Sequence, residues 1–364
     1  MTVNDVTRIL EELAPLQHAE DFDNVGLLVG NPEQKISGIL VTLDTLENVI
    51  DEAIAKNCNL VVSFHPIIFS GLKKITGRNY VERVVIKAII NNISIYSMHT
   101  ALDNNPFGVN AKICEVLGIE NPKILIPKSK TIKKLTTYVP KANAEKIRNH
   151  LFEAGGGNIG NYSNCSFSNR GTGSFKADEN ANPTLGKKGE THFENEVQLH
   201  MTFDSAKEHE ILKALHTNHP YEEVAYELIT LENTNQNLGM GMIGELKREI
   251  KETQFLQTLK TSMNVACIRH SQLLNKPVKK VAVLGGSGAF AISAAIKAKA
   301  DVFITADVKY HQFYEAENKM VIADIGHFET EQFTKNLLVD FLTKKIPNFA
   351  VTLSESVTNP IKYF

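Results

Sequence analysis

The sequence has little that would mark it for nucleic acid, a membrane or an oxidising compartment. Its 39 basic and 41 acidic side chains leave a formal charge of −2, with lysine and arginine spread along the chain, so nucleic acid has no basic field to meet. The four cysteines, Cys58, Cys114, Cys165 and Cys267, stand far apart with no Cys-x-x-Cys spacing, which removes zinc knuckles and thiol redox motifs and leaves them to read as buried thiols. Apolar runs such as residues 38–43 and 60–62 fall far below the ~20 residues of a membrane helix. The N-terminus also lacks the charged, then apolar, then small order of a secretion signal. Val6, Ile9, Leu10 and Leu13 instead mark one face of an amphipathic helix over residues 1–16. These absences predict a soluble, cytoplasmic chain.

What is present is core-forming material. With 364 residues and 43% hydrophobic side chains, the chain can bury more than one core. Short, continuously apolar runs at 39–43, 60–62 and 93–96 alternate with helical spacings at Val49, Ile50, Ala53 and Ile54, then Val81, Val84, Val85, Ala88 and Ile89. That alternation predicts parallel strands buried on both faces. It returns at 281–284, 302–304 and 321–323, so residues 1–127 and 246–364 read as two halves of one α/β domain. The segment between them, 128–245, has glycine- and asparagine-rich loops and a charged entry at 128–134. Strand-then-helix patterns recur in it at 134–155 and 197–216, each followed by another β-rich run, which predicts an inserted ferredoxin-like α+β domain.

In open α/β sheets ligands bind beyond the carboxyl ends of the strands. Past the run at 60–62 comes His65; past 93–96 come His99 and Asp103; past 302–304 come Asp307 and His311; past 321–323 come Asp324, His327 and Glu331. One histidine at a strand end is usually a structural hydrogen-bonding group, but four in one chain, with carboxylates, form a donor set suited to zinc, manganese, iron or cobalt. His327 and Glu331 stand at i and i+4 at the start of a helix, where both side chains can reach one ion. Pro66 holds His65 in extended backbone at the sheet edge, and Asp103 opens a short polar loop.

At these residues the chain resembles the Nif-three-like family, whose members often carry the name of GTP cyclohydrolase homologues. The matching segments are Glu20-Asp-Phe-Asp-Asn-Val-Gly-Leu-Leu-Val-Gly30, Ser63-Phe-His-Pro-Ile-Ile-Phe69, His99-Thr-Ala-Leu-Asp103, Thr305-Ala-Asp-Val-Lys-Tyr-His311 and Gly326-His-Phe-Glu-Thr-Glu331. The resemblance implies a dinuclear metal site, a ring-shaped homohexamer, and an inserted domain like those of the PII and CutA trimers. It also implies that His65, Asp103, His327 and Glu331 are metal ligands. The chain departs from the family pattern at Phe64, where a second histidine is usual.

Gly285, Gly286, Ser287 and Gly288 lie between an apolar run and an alanine-rich helical stretch, so their amides are candidates for holding an anion, the alternative being a tight turn. The run from Gly239 to Gly244 matches a dinucleotide fingerprint as a string but lacks the strand-then-helix setting, and reads as the return to the α/β domain. His219-Pro-Tyr-Glu-Glu223 reads as a solvated turn. The leading expectation is a hydrolase using one or two divalent ions per subunit on a nucleotide or other small phosphorylated compound, with His99, Asp307 and His311 as proton-transfer or ligand-orienting groups. The alternative is a metal-binding assembly or regulatory protein without turnover.

Overall fold

A computed structural model describes the chain from Met1 to Phe364, and it divides into two compact units, 1–127 with 236–364 and 128–235. The larger unit contains two sheets. In the first, Gly26–Val29, Ser94–Ser97, Leu60–Ser63, Ile39–Thr42 and Val351–Leu353 lie side by side, the last four parallel. Gly26–Val29 closes the edge antiparallel to Ser94–Ser97. The second sheet has the order Arg269–His270, Val321–Asp324, Val302–Ala306, Pro277–Ser287, Asn235–Lys251, Ile119–Lys128, with the second to fourth of these parallel to one another.

Strand alternation sorts the side chains into layers. Ile39, Val41, Leu60, Val62 and Tyr96 of the first sheet share a core with Val281, Val283, Val302, Ile304, Val321 and Ala323 of the second. Helices Val3–Leu13, Val109–Leu117, Glu252–Ser262 and Thr334–Lys345 contribute Val6, Leu10, Ile113, Leu259, Leu338 and Leu342 to that same layer. The intervening residues Leu40, Val61 and Ile95 face helices Glu47–Ala55 and Tyr80–Ile90, and Ala282, Phe303 and Ile322 face Ile292–Lys297. Each fully buried Val, Leu or Ile contributes ~1.5–3 kcal/mol. A one-residue slip would send a whole set to the wrong layer, so the strand ends that carry polar side chains are fixed in place.

The first helix begins with a capping box, Thr2 Oγ1 accepting from the Asp5 amide and the Asp5 carboxylate accepting from the Thr2 amide, and it stops before Pro15. The chain's C-terminal arm crosses from the second sheet to the first through Thr334–Lys345 and pairs Val351–Leu353 with Ile39–Val41. The flanks therefore form two sheets joined by a common core, where the sequence pattern alone did not distinguish one sheet from two.

The smaller unit has the element order Ile132–Pro140, helix Ala144–Glu153, Phe167–Lys176, Thr191–Asp204, helix Glu208–Asn218, Tyr226–Leu231. Its strands form one antiparallel sheet, in which Ile132–Pro140 sits between Thr191–Asp204 and Tyr226–Leu231. Ile147, Leu151, Ile211 and Leu215 of the helices pack on Leu135, Val139, Leu199, Met201 and Phe203. This unit ends at Asn235, short of the expected residue 245. The reason is that Asn235–Lys251 is a long strand of the six-stranded sheet, where Met242, Ile243 and Gly244 pair with Val283, Ala282 and Val281. The glycines from 239 to 244 thus lie in the strand by which the chain returns to the larger unit.

Candidate metal centre

The parallel strands of both sheets of the larger unit end at one polar cluster. Leu60–Ser63 delivers His65, whose Nδ1 lies 2.8 Å from Asp44 Oδ1 just beyond the neighbouring strand Ile39–Thr42. Val321–Asp324 leads into the short helix His327–Glu331, and His327 Nδ1 lies 2.7 Å from Asp307 Oδ2, the residue after strand Val302–Ala306. With each Nδ1 donating to a carboxylate, both Nε2 atoms point inward. They converge on Glu331 Oε2, at 3.1 Å from His65 and 3.3 Å from His327.

The ligand-type atoms of His65, His327 and Glu331 all lie within 4.8 Å of one another. Glu331 Oε2 is closed off from solvent and has no aligned hydrogen bond despite its two imidazole neighbours. A buried carboxylate oxygen left without a directed donor costs free energy unless a cation meets it. Two imidazole nitrogens and a carboxylate are also the donors that borderline transition ions accept. The residues present therefore fit a divalent metal ion.

Electrostatics says the same. Burial pushes the Glu331 carboxyl up, but His327 and His65 outweigh it and hold the group at about 2. Burial disfavours a charged His65, yet Asp44 and Glu331 push its pKa up to about 10, and His327 rises against the same burial to about 9 through Glu331 and Asp307. Positive charge is favoured at the Nε2 atoms, and a metal ion satisfies that preference in place of protons.

Asp103 ends the helix His99–Asp103 beside this group, with Oδ1 closed off from solvent and without a hydrogen-bond partner. Burial first, and then the charge of Glu331, pushes its carboxyl well above the usual range. His99 Nδ1 lies 2.8 Å from Asp23 Oδ1, its ring stands 5.4 Å from that of His65, and its backbone is left-handed at φ 25°. Asp307, with φ 56°, also accepts from Ser287 Oγ. Left-handed backbone at non-glycine residues is costly, and here it turns two polar side chains toward the cluster. Phe64 is fully buried, its ring 4.9 Å from His65 and 5.5 Å from His99.

Two expected site groups make other contacts. His311 is exposed on the 3-10 helix Tyr310–Ala316, where its ring meets Tyr310 at 5.1 Å and Tyr314 at 6.3 Å. The glycine segment is not a free loop, because strand Pro277–Ser287 runs through it. The Gly285 amide donates to Asn110 Oδ1 and that of Gly286 to Thr330 Oγ1, so neither is free for an anion. A Cβ on Gly286, whose φ is +66°, would lie 2.5 Å from Glu331 Oε1. This glycine is there to let the strand approach the carboxylate.

Asp44 and Asp23 were absent from the candidate residues read from sequence. The signal for Asp44 was the same strand-end rule, applied to the run at 39–43. Asp23 lies in the Glu20–Gly30 segment, yet its pairing with His99 spans 76 positions, and nothing local announces it.

Two mixed sheets whose parallel strands end at one histidine and carboxylate cluster define an α/β protein with a candidate metal centre. The chain belongs to the Duf34/NIF3 (NGG1p interacting factor 3) family, whose model matches residues 1–360. A Staphylococcus epidermidis protein named GTP cyclohydrolase 1 type 2 homolog is 34% identical over 367 residues, covering all of both chains. The crystal structure of a Bacillus cereus protein related to NIF3 superposes with a TM-score of 0.86 at 34% identity, over 100% of this chain and 99% of that one. A Staphylococcus aureus protein of 28% identity gives a TM-score of 0.78 over the same shares. No helix is long and apolar enough to cross a membrane.

Proposed function

We propose that the protein is a metal-dependent hydrolase of a nucleotide or other small phosphorylated compound. Its ion would be held by His65, His327 and Glu331, with Asp103 as a further ligand. The observation that carries this reading is the convergence of two imidazole Nε2 atoms on one buried carboxylate oxygen, each ring fixed from behind by its own aspartate. A bound divalent ion supplies Lewis acidity for hydrolysis. Around it, Asp44 and Asp307 orient the two imidazoles and keep Nε2 available. His99, whose ring Asp23 orients through Nδ1, is the group we assign to proton transfer at Nε2, and its place beside His65 supports that role. The name borne by the Staphylococcus epidermidis relative, which is 34% identical, supports a nucleotide as the substrate class.

The donor set suits zinc, manganese, iron or cobalt. We read a second ion position as weaker, because Phe64 offers no lone pair where the family resemblance expects an imidazole. The same resemblance supports a homohexamer, and a cytoplasmic setting suits the four unpaired cysteines. We also read the unit 128–235 as ferredoxin-like on its element order.

The test is metal analysis of protein purified without chelator, followed by stripping and reloading with each of the four ions against a panel of nucleotides and generic phosphoesters. The reading expects stoichiometric metal, turnover with at least one ion, and loss of both in His327→Ala. Metal retention without turnover on any substrate would favour the non-catalytic alternative.

A further inference from the structure

The inserted unit contains a cavity of about 410 Å³, a size that suits a small ligand and lies wholly within residues 128–235. Tyr138 and Glu196 alternate with Val139 and Val197, which face the helices, so the cavity opens on the other face of the sheet. Its roof is latched. Thr184 donates to the Pro220 carbonyl at 2.7 Å, and the Asn182 amide donates to Glu222 Oε2 at 2.8 Å, tying the loop after Phe167–Lys176 to the loop before Tyr226–Leu231. The walls are mainly apolar, with the rings of Tyr138, Phe175 and Tyr221 among them, the last two 5.9 Å apart and edge-on.

The charges in this wall have one sign. Glu196, Glu222 and Glu223 line it, with no lysine, arginine or histidine. The nearest imidazoles do not offset them. His219 donates from Nε2 to the Tyr138 carbonyl and accepts the Tyr221 amide at Nδ1, and burial pulls its pKa down, keeping it neutral. His192 is 3.1 Å from a further carboxylate, Glu194. Tyr221 holds Glu196 by donating its hydroxyl to Oε1 at 2.8 Å. The other oxygen occupies the space over Gly173, where a Cβ would come within 2.1 Å of it, so any larger residue would displace the carboxylate. Aromatic faces with a fixed carboxylate and no competing cation form a receptor for positive charge on an apolar body.

We propose that this cavity binds a small organic cation, an amine or guanidine carried on an apolar or aromatic body, with Glu196 as its counter-ion. The site is independent of the metal centre, and its test needs no metal. Phenethylamine, agmatine, phenethyl alcohol and phenylacetate would each be titrated calorimetrically into the full chain. The expected result is a saturable site for at least one of the two cations with Kd below about 1 mM. The alcohol should bind about tenfold more weakly than phenethylamine and phenylacetate not at all. Glu196→Gln should weaken the amine about tenfold while leaving the alcohol unchanged. Ala181→Phe, which fills the mouth from a surface loop, should abolish binding with the melting temperature kept, and serves if Glu196→Gln fails to fold. The proposal is overturned if neither cation binds, if amine and alcohol bind alike, or if Ala181→Phe binds like wild type.

Discussion

The two halves of the candidate metal centre are built on one plan from stretches of chain far apart in sequence. In each, a histidine follows a parallel strand and an aspartate just past the adjacent strand takes its Nδ1, Asp44 for His65 and Asp307 for His327. They differ in what stands behind the aspartate. Asp44 Oδ2 accepts a 2.7 Å bond from Thr358 in the C-terminal segment, and the same segment is fastened further back by Glu52, which accepts from Ser354, Ser356 and the Glu355 amide. Asp307 has only the nearby Ser287 hydroxyl and is itself more open. His65 is correspondingly better shielded, with its side chain 22% exposed against 35% for His327. The comparison teaches that one half is rigidly backed and the other adaptable, so ligand orientation should depend more on Asp44 than on Asp307.

The largest effect should come from removing the point where the halves meet. Glu331→Ala leaves two imidazoles without their shared carboxylate, and metal affinity should fall at least about 100-fold by titration with a competing chelator. Metal content equal to wild type would dismiss the cluster as a metal centre. Next come the backing aspartates, compared directly. Asp44→Asn and Asp307→Asn should each weaken metal binding by about 10–100-fold, Asp44→Asn more. Equal losses would erase the asymmetry between the halves.

A smaller effect is expected at Phe64. Restoring an imidazole with Phe64→His should tighten the weaker ion position without changing the stronger one, at about 1–3 kcal/mol of stability because a polar ring enters a fully buried site. Two equal, unaltered binding steps in both proteins would show that the residue has no bearing on the metal. The smallest effect concerns the anchor of the C-terminal segment. Burial raises the Glu52 carboxyl, but the Glu355 amide, Lys56 and the serine hydroxyls outweigh it and lower the pKa from 4.5 to about 2. A depressed acid stabilises the fold above its unfolded value and loses that contribution as pH falls through the folded one. Protection of amides in residues 354–359, taken relative to the intrinsic exchange rate at each pH, should therefore fall between about pH 4.5 and pH 2, and Glu52→Gln should show the low protection already at neutral pH.

Much of the centre was legible because strands buried on both faces write themselves as unbroken apolar runs, and whatever follows such a run lies at the sheet edge. That rule found His65, His99, Asp307 and His327 together. It was silent on the Gly285–Gly288 segment because an apolar strand that runs on through glycines looks the same as one that turns at them, and only the Asn110 and Thr330 side chains reveal where the Gly285 and Gly286 amides go. It gave no direction for His311, since a short helix after a strand can turn its side chains to either side, and Tyr310–Ala316 turns this one to solvent.

The sequence by itself determined the central apolar strands of both sheets and the candidate ligand types that follow them, since those come from periodicities of two to four residues and from single residue types. Only the tertiary structure decided that the strands divide into two sheets sharing a core, that Asp23 meets His99 and Thr358 meets Asp44 across 76 and 314 positions, and that Phe64 is fully buried between two site histidines. Those contacts join residues with no local relation to one another, and they exist because burying the apolar layers leaves the polar strand ends a single common edge on which to gather.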